Sequence, residues 1–337
     1  MYPGDAEFGF ELLVCRWAET SWPPESARES PVLVSRQLGT QQRRWDTVVL
    51  ECDPEGLAAR RQFGGRELDS DLLHVVRNAP EEWAWYRDAL PDPGYPWRYV
   101  RAAVHRAADR GVVEKRRRGN RIEIRRIAPY PDWLRRIVAV ENKPDLDASA
   151  ARALAGQLEH DVETALADEV WVATESTGSR VEPALLEDLP VDVGILTLSI
   201  DADGTDGLDD EPVASVEWYP SEVTPEGDGN DDEHRRRRLE LAERAYGRGW
   251  RSYHETMRPD CRHFELRRFG RALLPRCAAK DRSQTAAECA GSCPEFEPEP
   301  PAWRSRGWPI EGGPGKGIKR LLRRRRERVR EREIERE

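Results

Sequence analysis

Two short stretches set acidic residues at the ends of apolar runs. In VAVENKPDL (138–146) the run stops on Glu141, and Lys143 follows two positions later; in RRWDTVVLEC (43–52) the run begins just after Asp46. The lysine is conspicuous, because the chain has five lysines against 49 arginines. On a β-strand, residues i and i+2 share a face, so Glu141 and Lys143 project together while Asn142 points away. If the two runs are neighbouring strands, Asp46, Glu141 and Lys143 meet at one sheet edge. Such a trio suits metal-assisted phosphodiester hydrolysis. Mg2+ (or Mn2+) takes hard oxygen ligands, usually one or two carboxylates, and keeps water and phosphate in its other positions. Asp46 and Glu141 would supply the carboxylates, and the Asn142 carbonyl a further oxygen. The ion would acidify a bound water and neutralise charge developing on phosphate. Lys143, a compact point charge, would orient that water. The bland alternative is a surface ion pair at a strand end with Asp46 in a turn.

A second set of residues points to a different metal. Cys261, Cys277, Cys289 and Cys293 fall within 33 residues. Four close thiols in an intracellular chain suggest one site holding Zn2+ or an iron–sulfur cluster, with zinc the first choice. Their spacing fits neither a paired C-x2-C ribbon nor a ferredoxin run, and four unrelated thiols are the alternative. Cys15 and Cys52 lie on apolar stripes and read as core, with Cys15 a possible outlying ligand.

A third set is basic. Arg98, Arg101 and His105 share one helical face, Arg106 and Arg110 lie beside it, and Lys115, Arg116, Arg117, Arg118, Arg121, Arg125 and Arg126 follow in a short span. A helix flanked by a basic hairpin fits duplex DNA, with phosphate contacts dominating affinity. A solvated charged face or a protein-docking module is the alternative.

The elements that must carry these residues follow from periodicity. An amphipathic helix is expected over 5–19, ended by Trp22-Pro23-Pro24, and a hairpin over 31–38 and 43–52. Residues 67–128 read as three helices, the last over 97–110 with Pro96 before it and Gly111 after it, and then a β-hairpin around Arg-Gly-Asn-Arg. A strand over 134–143, a helix over 148–167 and an apolar strand over 169–174 form a right-handed crossover in a sheet covered on both faces. Further strands are expected over 194–200 and 214–218, with acidic, Gly-rich loops around them.

The composition bounds these readings. With 337 residues, 38% hydrophobic and 35% charged, the chain has room for two or three domains. A net charge of −9 excludes a coat of nucleic acid over the whole surface but not a local basic site. Abundant carboxylates with few lysines suggest a halophilic, salt-adapted proteome, and a GC-rich genome is the alternative. No run approaches the ~20 apolar residues of a membrane helix, and the acidic N-terminus lacks a signal pattern, so a cytoplasmic location is expected. No GxxxxGK[ST] loop, G-x-S-x-G elbow or HExxH helix occurs, so ATP hydrolysis, acyl transfer and metalloprotease chemistry have no support.

Taken in order, helix 5–19, strands 31–38, 43–52 and 134–143, helix 148–167 and strand 169–174 resemble the core of the PD-(D/E)xK nuclease superfamily, the restriction-endonuclease-like fold. Asp46 matches that family's first acidic position and Glu141-Asn142-Lys143 its (D/E)-x-K. Glu11 (or Glu7) matches a glutamate that many members carry on the first helix, and Gln157 a glutamine that a RecB-like branch carries on the helix after the lysine. That branch's tyrosine is Asp161 here, and no proline precedes Asp46. Segment 67–130 resembles a winged helix and would be an insertion. The resemblance implies a mixed α/β sheet flanked by helices, with a nuclease core in two parts (1–66 and 131–222) around that insertion. An acidic linker (223–236), a four-cysteine module (237–298) and a charged tail (299–337) complete the organisation, the tail being a candidate contact for a homodimer or partner protein. The implied function is a Mg2+-dependent DNA endo- or exonuclease; the alternative is a non-catalytic DNA-binding or regulatory protein that retains the fold.

Overall fold

The strands of the larger sheet are runs of β-branched and apolar residues, and their burial shows two covered faces. In the computed structural model, the described residues are 3–25, 30–40, 43–176, 187–199, 212–223, 231–250, 261, 263–269, 272–283 and 293–297. Helix α1 (Pro3–Ser21) leads into strands β1 (Val32–Gly39) and β2 (Arg44–Cys52). A helical segment follows: α2 (Pro54–Arg60), a 3-10 turn (Arg61–Phe63), α3 (Ser70–Asn78), strand β3 (Ala84–Trp85), α4 (Tyr86–Ala89) and α5 (Trp97–Asp109). Then come the hairpin β4 (Val113–Arg118) and β5 (Arg121–Arg126), strand β6 (Leu134–Asn142), helix α6 (Ala148–Thr164) and strands β7 (Glu169–Glu175), β8 (Val193–Ser199) and β9 (Val213–Trp218). Helix α7 (Asp231–Arg248) and strands β10 (Phe264–Phe269), β11 (Ala272–Cys277) and β12 (Arg282–Ser283) end the described elements.

The larger sheet is six-stranded and mixed, in the order β1-β2-β6-β7-β8-β9. The β1–β2, β2–β6 and β8–β9 pairs are antiparallel, and β6–β7 and β7–β8 are parallel. Helix α6 makes the crossover between β6 and β7, as parallel neighbours require. Strand β7 shows how both faces are used. Val170 and Val172 pack with Ala151, Leu154 and Leu158 of α6, whereas the alternate residues Trp171 and Ala173 join the main core beside α1. That core also takes Leu241, Ala242, Ala245 and Tyr246 of α7. Helix α7 therefore begins inside the span expected to be an acidic linker, and its buried face belongs to the main sheet rather than to the cysteines.

Strands β2 and β6 are neighbours although the chain between them is long. The intervening segment has its own core: Leu72, Val75 and Val76 of α3 pack with Val100, Ala103, Val104 and Ala107 of α5 and Ile124 of β5. Strands β3, β5 and β4 form its three-stranded sheet. Asp69 caps α3 by accepting from Leu72 N–H at 3.0 Å. The segment is tied to α7 by a fully buried pair, Arg60 with Glu243, to which Tyr130 adds a hydrogen bond at 2.6 Å. Among the described residues, no helix is long and apolar enough to cross a membrane.

Candidate active site at the β1–β2–β6 edge

Register brings the predicted acids together. Pairs Arg36↔Thr47 and Leu38↔Trp45 across β1–β2 set Gln37 opposite Asp46. Pairs Val48↔Ala139 and Thr47↔Val140 across β2–β6, continued by one step, set Asp46 opposite Glu141. Gln37, Asp46 and Glu141 thus form a row across three adjacent strands. Two carboxylates directly opposite one another repel, and the surrounding bonds answer that repulsion. Gln37 Nε2 donates to both Asp46 Oδ1 and Glu11 Oε1, at 2.9 Å each. Asn142 N–H donates to Asp46 Oδ2 at 3.1 Å, and its side-chain amide donates to Thr47 Oγ1. Burial, and after it the Glu141 carboxylate, push the Asp46 pKa up to about 7; the bond from Asn142 N–H works in the opposite direction.

Each flanking residue is held by its own element. Helix α1 presents Glu11 and Cys15, four residues apart and so on one face, to β1 and β2. Glu11 is gripped by Arg36 through Nε and Nη2, both at 2.9 Å. Cys15 is fully buried in the main core against Thr47, and burial drives its thiol pKa far up. Cys52 is likewise buried with a raised pKa. Helix α6 is capped by Asp147, which accepts from Ala150 N–H at 2.7 Å. It ends at Ala165 in the left-handed region (φ 48°). Its i, i+4 pair, Gln157 and Asp161, faces the row: Gln157 Nε2 donates to Glu141 Oε1 at 3.1 Å.

Three residues of this site were not singled out by sequence. Arg43 lies in the turn between β1 and β2. It donates to Glu141 Oε2 at 2.9 Å and, through Nε and Nη2, to Asp161, whose side chain is fully buried. Burial opposes the Arg43 charge, but the bonds to Asp161 and Glu141 outweigh it and raise its pKa. Gln37 occupies the left-handed region (φ 51°), uncommon for a residue with a side chain. Arg248 Nη1 holds its carbonyl at 3.0 Å, and Arg244 Nη2 holds that of Gly39 at 2.6 Å. Asp161, noted only as a departure from a tyrosine, is the third. The sequence signal for it is the four-residue spacing from Gln157.

Lys143 lies just past the end of β6 and continues the β6–β7 ladder by donating its N–H to the Ala173 carbonyl at 2.8 Å. The side chain of Glu7 lies outside the described residues. Glu11, Asp46, Glu141 and Gln157 are therefore brought to one place. A hard divalent cation fits their chemistry, because positive charge relieves the repulsion between the facing carboxylates that helps raise the pKa of Asp46. As they stand, no three His, Cys, Asp or Glu side chains among the described residues form a ready ion site. Gln37, Arg43 and Gln157 are bonded to the oxygens instead.

The other two predicted sites divide differently. Cys261 and Cys293 share a small cluster with Phe296, Cys277 ends β11, and Cys289 lies outside the described residues, as does the charged tail. On the basic segment, Arg98 and Arg101 are exposed on α5, but Arg106 turns to Asp69 and Asp71, and Arg110 donates to the Arg66 and Glu67 carbonyls. Arg116 pairs with Glu123 and stacks on Trp83, Arg118 lies 3.8 Å from Glu123, and Arg121 stacks on Trp85. Several of the cations are thus partly neutralised within the hairpin.

A family model described as a family of unknown function (DUF5787) matches residues 33–298. The chain belongs to this family. The matched span includes Asp46, Glu141, Lys143, Gln157 and all four of the later cysteines, and omits Glu11. No curated protein and no solved structure matches the chain.

Proposed function

We propose that the chain is a metal-dependent DNA nuclease of the restriction-endonuclease-like type, with its site at Asp46, Glu141 and Lys143. The observation that carries the reading is the facing of Asp46 and Glu141 on adjacent strands, with Glu11 and Gln157 bonded into the same row. The order α1, β1, β2, β6, α6, β7 and the parallel β6–β7 crossover also support it. A fold with no catalytic task would gain stability by separating two carboxylates across a ladder. Asp46 and Glu141 would hold Mg2+ or Mn2+, which when bound supplies an acidified water and charge neutralisation at phosphate. Gln157 orients Glu141, Gln37 orients Asp46 and Glu11, and Lys143 stabilises negative charge near the strand end.

The segment between β2 and β6 supports the winged-helix reading in its order of helices followed by the basic β4–β5 hairpin, and we assign it to DNA contact. The four cysteines would hold Zn2+ or an iron–sulfur cluster outside the catalytic row. The test of this function is a cleavage screen with Mg2+ or Mn2+ over duplex, flap, junction and single-stranded DNA, at low and high salt. Cleavage of at least one form is expected; none on any form overturns the reading.

One observation favours a second reading. The Arg43 guanidinium already occupies Glu141 and Asp161, and so provides internally the positive charge that an ion would bring. In that reading the protein is a non-catalytic DNA-binding relative whose acids are structural. Divalent-cation binding distinguishes the two: it is expected for the enzyme and absent from the non-catalytic protein.

A further inference from the structure

Helix α5 and strand β4 flank an open cleft of about 700 Å3 whose charged lining is entirely basic. Arg98, Arg101 and His105 come from the helix, and Lys115, Arg116 and Arg117 from the strand. No aspartate or glutamate lines it, in a chain whose net charge is −9. Among the described residues, Arg98, Arg101 and Arg117 meet no carboxylate: Arg98 donates to Tyr99 Oη at 3.0 Å and Arg117 to the Gly119 carbonyl at 3.0 Å. Lys115 is drawn across the cavity, with Nζ 2.9 Å from His105 Nδ1, and its nearest acid, Asp109, lies 3.9 Å away and points largely into water. Arg116 differs, being paired with Glu123 and stacked on Trp83.

Two physical arguments define the ligand. The volume falls within the range of about 300–1,000 Å3 typical of small-ligand pockets, a size that suits one phosphate-bearing end rather than a length of duplex. The charge is too concentrated for a backbone diester, which brings one negative charge per phosphate. A phosphate monoester has a second pKa near ~6 and approaches two charges at neutral pH, and guanidinium forks match its oxygens. We propose that this cavity is a phosphate-monoester site, filled by the phosphorylated end of a nucleic-acid strand. A free nucleotide carries the same chemistry, and the experiment separates the two sources. The inference rests on the nucleic-acid reading above for its ligand class, and it does not require cleavage.

The test measures binding by the full chain carrying Asp46→Asn, in chelator, by fluorescence anisotropy. The probes are one single-stranded oligonucleotide with terminal phosphates, the same strand with terminal hydroxyls, and dAMP, a free phosphate monoester, as competitor. The phosphorylated strand is expected to bind about tenfold more tightly, the gain from one additional charge-assisted contact. Arg101→Ala with Arg117→Ala, at exposed positions without ion pairs, should erase that preference. Displacement by dAMP that the same variant abolishes supports the site with free nucleotide as its ligand. Equal affinity for both strands with no dAMP binding overturns the proposal, as does an end preference that survives the double variant. Because ions are chelated, a failed cleavage screen leaves this result unaffected, and a failure here leaves cleavage unaffected.

Discussion

Asp46→Asn should stabilise the metal-free protein relative to the parent, increasingly so as pH rises. In the fold, burial and the facing Glu141 push Asp46 from an ordinary 3.8 up to about 7. Between those values the unfolded chain releases a proton that the folded chain retains, so the parent loses stability as pH rises, and the loss levels off above the folded pKa. Each pKa unit is worth about 1.4 kcal/mol. From pH 5 to pH 7 the interval is two units, so the advantage of the asparagine variant should grow by about 2–3 kcal/mol between pH 5 and pH 8. Comparing two pH values removes any constant cost of the new amide, including an imperfect bond to Gln37 or Asn142. The assay is urea denaturation of both proteins in chelator at pH 5, 6, 7 and 8, at one fixed KCl concentration. Parallel stability–pH curves would refute the reasoning, because they would mean that Asp46 titrates alike in the folded and unfolded chains. Adding Mn2+ at pH 8 should reverse the order, stabilising the parent more than the variant, since a ligand that binds only the folded state adds its binding free energy to stability.

Other consequences concern neighbouring groups. Arg43→Ala leaves the buried Asp161 and the facing Glu141 without their shared cation, and should cost about 3–5 kcal/mol in urea denaturation; a loss under 1 kcal/mol would show that the pair is dispensable. The same variant should bind Mn2+ more tightly than the parent in calorimetry if Arg43 and the ion compete for Glu141. Replacing Arg116, Arg117, Arg118 and Arg121 with Ala should weaken duplex DNA binding and flatten its salt dependence; unchanged affinity would remove the hairpin from the interface. Elemental analysis should find about one equivalent of zinc lost on mutation of Cys261 or Cys293, whereas a brown protein absorbing near ~400 nm would point to an iron–sulfur cluster.

Much of the architecture was legible because burial imposes period. IVAV (137–140) and VVL (48–50) are continuous apolar runs, as a sheet covered on both faces demands, and the helix carrying Gln157 shows its apolar stripe in sequence. What lay beyond reach was register. The sequence suggests that Asp46 and Glu141 share an edge, but only the ladder shows them opposite one another, with the α2–β5 segment between them in the chain. Gln37 was invisible for a different reason: no local pattern marks its left-handed backbone, and the bonds from Arg248 and Arg244 of α7 to the β1 carbonyls come from far along the chain. Arg43 looked like one more arginine among 49, and its importance comes from two acids 98 and 118 positions away. Helical periodicity did not reveal that Arg106 and Arg110 find partners within the fold, whereas Arg98 and Arg101 stay exposed.

The central claim is that Asp46, Glu141 and Lys143 hydrolyse phosphodiesters with a divalent ion. The most direct measurement is single-turnover cleavage of labelled DNA with Mg2+ or Mn2+ by the parent protein, Asp46→Asn and Lys143→Ala, with DNA affinity measured alongside. The account predicts cleavage by the parent, and a fall of about 100-fold or more in both variants, with DNA binding retained. Cleavage at the parent rate by both variants would contradict it.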